Sequence, residues 1–242
     1  MIHAIRPISV PRPVTALLGF VAGFVDTCSF LGLFQIFVAQ LTGSFVLASN
    51  WLFVRQGELL TMLAIPAFFV AGCVAAVLAT LRARRGRPLV WVAGLECALI
   101  AAMLVSMLTL PLDSANAPGT LAAALLGVAA MGVQSAMVHL FMRAVPSTNV
   151  MTSNTTQLAL DTTLVLLSFG RGRADDAVIR QTREARERLG LLWPPMAGFV
   201  LGTALGAPCF LLVGNAAVAV PLAGAFGFLI WCLRGAARPA DA

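Results

Sequence analysis

The chain has no lysine, no tyrosine and little charge of either sign: 16 arginines and 10 acidic residues among 242, or 11% charged. An ordinary soluble domain is about 25% charged. That shortfall excludes a soluble globular enzyme, a disordered tail and a conventional DNA-binding domain. Cysteine is sparse as well. Cys28, Cys73, Cys97, Cys209 and Cys232 stand singly inside apolar runs, with no C-x-x-C pair. They read as small packing residues, not as a disulfide framework or a zinc site. HExxH and GxSxG motifs are absent, and no Ser/His or paired-Asp constellation is evident. The reading is therefore not an enzyme, with no metal and no cofactor.

What is present is apolar sequence: 60% hydrophobic residues and a mean hydropathy of +0.92. The net charge of +6 resembles a nucleic-acid signal, but the arginines sit between apolar runs or at the termini. That is the distribution of positive-inside loops. Without a basic face interleaved with aromatics, nucleic acid is not an expected partner. Arg6 and Arg12 ahead of an apolar run imitate a signal peptide. The run from Val14 to Phe34 is too long for one and reads as an uncleaved first span.

Six runs are long enough for a hydrocarbon core of about 30 Å, which takes about 20 residues. They cover roughly 13–34, 60–81, 88–110, 119–141, 191–213 and 215–234. Two further stretches, 36–54 and 148–169, are interrupted near their starts by small polar residues, Leu41-Thr42-Gly43-Ser44 and Met151-Thr152-Ser153-Asn154. If both spanned, the arginine-rich loops 82–88 and 170–190 would fall outside. If both re-enter, every loop obeys the rule and both termini are cytoplasmic. The expected fold is an all-α polytopic membrane protein, a single membrane domain over 1–242. It has six transmembrane helices plus two re-entrant (or short broken) helical segments. The 170–190 loop is expected in the cytoplasm as a short amphipathic helix, with Asp176–Arg180, Arg180–Glu184 and Glu184–Arg188 pairs.

The sequence echoes itself. Gly19, Ala22, Val25, Asp26 and Thr27 align with Gly127, Ala130, Val133, Gln134 and Ser135; after a short insertion the two polar clusters align as well. Repeat one would cover 13–110 and repeat two 119–234. Three spans per half is an odd number, so the halves are inverted, as in many secondary transporters.

Gly23-Phe24-Val25-Asp26, Leu41-Thr42-Gly43-Ser44, Met131-Gly132-Val133-Gln134-Ser135 and the segment Thr148 to Thr156 together resemble the YoaK-like family of bacterial inner-membrane proteins. The resemblance covers about 15–234 and implies a multi-pass bacterial inner (plasma) membrane protein. The family usually reads Thr-Gly-Asn at Thr42-Gly43-Ser44 and Thr-Gly at Thr152-Ser153, so this chain departs at both places.

Candidate binding residues follow from cost. Asp26 sits mid-span, where a carboxylate costs about 2.5 to 3.5 kcal/mol on insertion scales. It shares a face with Ala16, Gly19, Gly23 and Phe30, so that face meets protein. It is either a proton or cation site or a hydrogen-bonded lock between helices. Gln134 is its repeat partner. Thr42, Gly43 and Ser44, with Thr152, Ser153 and Asn154, form two clusters of good helix caps. Inversion would bring the two helix N-termini together near the midplane, where they favour an anion or a carbonyl-bearing solute. Asp161 lies two turns beyond Asn154 on the same face and would line the same cavity. Glu96 shares a face with Ala93 and Ile100 and reads either as an arginine partner or as part of a site. His139 reads as an interfacial polar tip or a proton shuttle. The Gly198-x3-Gly202-x3-Gly206 run is a close-packing signal, with Gly72 and Ala76 a weaker counterpart. Homo-oligomerisation through one of these faces is not separable from internal packing.

The function expected is a small transporter or channel-like protein. It would move a small solute, with proton or cation coupling, through a midplane site. Its partners would be membrane lipid and an unidentified small solute or ion. The alternative is a non-transporting membrane scaffold or assembly protein.

Overall fold

The computed structural model describes residues 7–54, 59–83, 86–142, 145–146, 151–169, 176–235 and 238–239. Apolar runs with few backbone-competing residues become helices: α1 (Arg12–Gly32), α2 (Leu41–Val54), α3 (Leu59–Ala83), α4 (Pro88–Thr109), α5 (Pro118–Phe141), α6 (Met151–Phe169), α7 (Asp176–Val213) and α8 (Ala219–Leu233). A 3-10 turn at Gly214–Val218 joins α7 to α8. A two-residue antiparallel pair, Ile8–Ser9 with Arg238–Pro239, ties the two ends of the chain together. Among the described residues five helical stretches are long and apolar enough to cross a membrane. These are 12–32, 61–83, 88–109, 118–141 and the continuous stretch 177–233 through α7, the turn and α8. The chain thus has the helices of a multi-pass membrane protein.

Proline starts three of these helices. Pro13, Pro88 and Pro118 occupy first-turn positions, where a missing N–H costs nothing and φ is already helical. The α1 and α5 helices also end alike. Leu33 (φ −127, ψ 47) and Met142 (φ −124, ψ 51) each donate their backbone N–H to a carbonyl four residues back.

Packing defines two ends of the bundle. At one end the start of α1 meets α7, with the Arg12 guanidinium beside Gly190. Arg87 at the start of α4 donates to the Leu233 carbonyl at the end of α8 (3.2 Å), and Arg82 lies 3.9 Å over the Trp91 ring. At the other end Gly32 of α1 meets Met107 of α4, and Asn215 donates to the Met107 carbonyl (2.9 Å). There too the Leu59 N–H, at the start of α3, bonds Asn116 before α5 (2.9 Å). Asp113 is the one charged side chain at that end among the described residues.

The tightest packing is α1 on α7, in parallel. A Cβ at Gly19 would overlap the Pro195 carbonyl, and one at Gly23 the Phe199 carbonyl. From the other side, Gly198 abuts the Ala16 carbonyl and Gly202 the Phe20 carbonyl. The Gly198-x3-Gly202-x3-Gly206 run is therefore an internal contact, and its partner is Gly19-x3-Gly23. Gly72 has open space around it, so the weaker counterpart expected on α3 makes no such contact. The parallel α3–α5 contact uses Gly132 against Phe68 instead.

Two expectations are revised. The 170–190 segment is not a separate surface helix: residues 176–190 form the first part of the 38-residue α7. Its Glu184–Arg188 pair forms at 3.8 Å and an Arg183–Glu187 pair at 3.1 Å, but Arg188 turns chiefly to Asp161 of α6. The polar clusters also do not precede their helices. Helices α2 and α6 begin at Leu41 and Met151, so the hydroxyls lie within the first turns and are not caps. Arg6, Arg84, Arg85, Arg171 and Arg173, and parts 148–150 and 170–175 of the expected segments, lie outside the described residues.

Candidate functional site

The site is built where α1 ends and the chain turns back. Phe34 and Gln35 both adopt left-handed backbone (φ 57 and 63), a conformation costing roughly 1–2 kcal/mol for each non-glycine residue. The Gln35 N–H bonds the Phe30 carbonyl (2.9 Å) and closes the helix end. The chain then descends beside α1 until Val38 and Ala39 reach the level of Asp26. Asp26 Oδ1 accepts both backbone N–H groups, at 2.9 and 2.8 Å, and Oδ2 accepts the Gln40 side-chain amide at 3.3 Å. Asp26 lies seven residues before Leu33, so this return reaches about 10 Å back along α1. Val38 and Ala39 are buried. Without the carboxylate their N–H groups would be orphaned, which is what makes irregular backbone costly inside a bilayer. The lock reading of Asp26 is thus built into the fold, with a loop as its partner in place of a second helix.

Two small cavities flank this loop. One, of about 180 Å³, is lined by Asp26, Thr27, Phe30, Phe37, Gln40, Phe199 and Thr203. The other, of about 170 Å³, is lined by Gln35, Ile36, Phe37, Gln40, Gly43, Ser44, Leu47, Thr61 and Ala64. Phe37 and Gln40 belong to both. Hydroxyls and amides therefore continue from Thr203 on α7, past Gln40, to Thr61 on α3. A larger crevice of about 500 Å³ between α1 and α7 is lined mostly by apolar groups such as Pro13, Leu17, Phe20 and Leu201. It suits an acyl chain better than a polar ligand.

The expected residues are dispersed. Asp26, Gly43 and Ser44 border the loop cavities, whereas Thr42 is exposed. Gln134 donates to the Leu18 carbonyl (2.9 Å) and ties α5 to α1. Thr152 and Ser153 are exposed and Asn154 is buried. Helix α2 packs on α3 and α6 packs on α7, with no extended contact between α2 and α6 among the described residues. The two polar clusters therefore do not meet. Asp161 is buried but does not share the Asp26 cavity; it takes a bidentate contact from Arg188, at 2.8 Å and 3.1 Å. The Arg188 hydrogen bonds hold its carboxyl below the usual 3.8. His139 is exposed. Glu96 makes no hydrogen bond or ion pair among the described residues, and its Oε1 is buried without a partner; no arginine meets it.

Sequence reasoning missed Gln40, Thr27, Thr203 and Thr61. Gln40 carried a signal, since it is the one amide directly ahead of Leu41-Thr42-Gly43-Ser44 in an apolar stretch. Thr203 carried a weaker one, as the hydroxyl inside the Gly198–Gly206 run that faces α1.

Comparison with the curated proteins found no match, and comparison with the solved structures found none. A family model does match, the one described as a protein of unknown function (DUF1275), over residues 14–231. That match takes in the five membrane-length stretches but for two residues at the start of the first and two at the end of the last, and the chain belongs to the DUF1275 family.

Proposed function

We propose that the chain, built of two inverted halves, carries a small polar solute across the membrane through the loop cavities beside Asp26. The observation that carries this reading is the Asp26 arrangement. Non-helical backbone at membrane depth is tolerated where protein buries it or water lines it. Here it is held by a carboxylate and flanked on both sides by cavities with convergent polar groups. At about 30 Å³ per water, about 180 Å³ suits a solute of up to about six non-hydrogen atoms. Aromatic Phe30 and Phe37, 4.8 Å between centroids, form one wall.

Several features support six crossings in two inverted halves. Helix α1 runs from the Arg12 end to the Met107 end, and α5 runs the opposite way. The α1–α7 contact has its counterpart in α5–α3, α2–α3 in α6–α7, and α1–α8 in α5–α4. The described part of helix α2, 14 residues, is about 21 Å long against a hydrocarbon core of about 30 Å. The ends of α1 and the start of α3 lie on one side of the bundle, which suits a re-entrant α2. The described arginines Arg12, Arg82, Arg87 and Arg188 and the Trp91 and Trp193 rings gather at the other end, as a cytoplasmic interface does. In this account Asp26 is a fixed anchor, Gln40 is the solute-facing amide shared by the cavities, and Thr27, Thr203, Ser44 and Thr61 are the hydroxyls that replace hydration.

The test is osmotic swelling of proteoliposomes with formamide, urea and glycerol as probes. Swelling faster than in protein-free liposomes for at least one probe, and its loss in Thr203→Phe, is the expected result. Equal rates with and without protein for all three would overturn the reading.

One observation favours the scaffold alternative. Residues 176–189 of α7 extend about 20 Å past the start of α1, with α6 packed along them. Deleting 171–188 and finding that solute movement survives while a partner is lost would favour it.

A further inference from the structure

Glu96 is not used by the account above. It lies near the middle of α4, is 1% exposed, and its carboxyl has no hydrogen bond and no ion pair among the described residues. Asp26 is the opposite case. Its partners are all N–H donors, two of them backbone and fixed, so both its oxygens are used by the loop. Burying an unpaired carboxylate is far more costly than burying the neutral acid. The two acids therefore divide the roles that one mid-span acid was expected to fill. Asp26 holds the loop through its hydrogen bonds, and Glu96, buried without a partner, is suited to hold a proton.

The surroundings of Glu96 fit this role. Helix α4 packs on α3, α5, α8 and the 3-10 turn. From α8 the Cys232 thiol comes within electrostatic reach of Glu96, as does Cys97 of its own helix. On α3 the nearest cation, Arg82, is committed to the Trp91 ring, more than a turn before Glu96. On α5 the register that sets Gly127 against Met103 brings Gln134 level with Glu96, and its amide NH₂ bonds the Leu18 carbonyl. His139 of α5 is exposed, and the 3-10 turn carries no titratable group. Among the described residues no cation faces Glu96 from any of these elements. Helices α4 and α8 are the last helices of the two halves, so their contact is a seam between halves.

We propose that Glu96 is a proton-binding site in the α4–α8 seam. Its proton keeps the seam closed and its release loosens the seam, so that the movement of the halves is coupled to one proton. The inference rests on the two-halves reading above. Binding and release of H⁺ at the carboxyl oxygen balance without any other reactant.

The test uses the full chain in lipid nanodiscs. Infrared difference spectra across a pH titration report the C=O stretch of a neutral carboxyl. The expected band is present at neutral pH, lost in Glu96→Gln and retained in Asp26→Asn. A second readout is maleimide labelling of Cys232 in a background lacking the other four cysteines. Labelling should rise with pH more steeply in the parent than in Glu96→Gln, where only the thiol's own ionisation remains. Absence of the neutral-carboxyl band in the parent, or the same labelling profile in both proteins, would overturn the proposal. Neither readout involves solute, so failure of the swelling assay alone would overturn the transport reading while leaving the proton site standing.

Discussion

Replacing Asp26 with alanine perturbs the 33–40 loop where its buried backbone is held to α1 by a carboxylate. The carboxylate accepts from Val38 N (2.9 Å), Ala39 N (2.8 Å) and Gln40 Nε2 (3.3 Å). Gln40 can turn into its cavity, so its amide is not stranded. The two backbone donors cannot turn, and both residues are buried. Each buried donor left unsatisfied costs about 1–3 kcal/mol. The expected loss for Asp26→Ala is therefore about 2–6 kcal/mol, reduced if water enters the space left behind. Asp26→Asn keeps one acceptor oxygen for the two N–H groups but gives up their charge assistance, so about half that loss is expected. Peptide-level hydrogen exchange over 36–41 should show fast exchange at 38–39 in the alanine variant and partial protection in the asparagine variant. Detergent unfolding should rank the proteins in the same order. Unchanged protection at 38–39 in Asp26→Ala, with stability within about 0.5 kcal/mol of the parent, would refute this account of the loop.

Three further outcomes are expected. Gly198→Leu should destabilise by several kcal/mol because its side chain meets the Ala16 backbone, whereas Gly72→Ala, with open space around it, should be neutral or gain up to about 1 kcal/mol; unfolding of the two variants checks both. The Asp161 carboxyl is held below its usual value by Arg188, so its contribution is present above about pH 4 and is lost as pH falls below that. Hydrogen exchange of α6, corrected for intrinsic pH dependence, should rise on acidification in the parent and already be high in Asp161→Asn. Single cysteines at Ser9 and Gly86 should label from the same side of the membrane and one at Ser114 from the other; labelling of Ser9 and Gly86 from opposite sides would mean that α2 crosses.

Much of the fold was legible because its physics is local. Runs of about 20 apolar residues bounded by Pro88, Pro118 or arginines can do little else in a bilayer. The glycine spacing of 198, 202 and 206 announces a close helix contact whatever its partner. The site was less legible. The left-handed Phe34 and Gln35 leave no mark in the sequence, since neither is glycine, and they decide where residues 38–40 go. Asp26 was recognisable as costly and therefore important, but its partner is backbone, which no residue type advertises. The two polar clusters align as sequence, yet they do not meet: α2 packs on α3 and α6 on α7. Similarity between two segments says nothing about whether they touch. The charged segment before Trp193 looked like a surface loop because its composition changes there, while its backbone continues into α7 without a break.

The central claim is that a polar solute passes Gln40, and a single cysteine at that position tests it most directly. Gln40→Cys, in a chain otherwise free of cysteine, is reconstituted and treated with a small membrane-impermeant thiol reagent before swelling is measured. The account predicts that the reagent reaches residue 40 from the aqueous phase and that labelling stops the protein-dependent swelling. Labelling at residue 40 that leaves swelling unchanged would place the solute's path elsewhere and contradict the account.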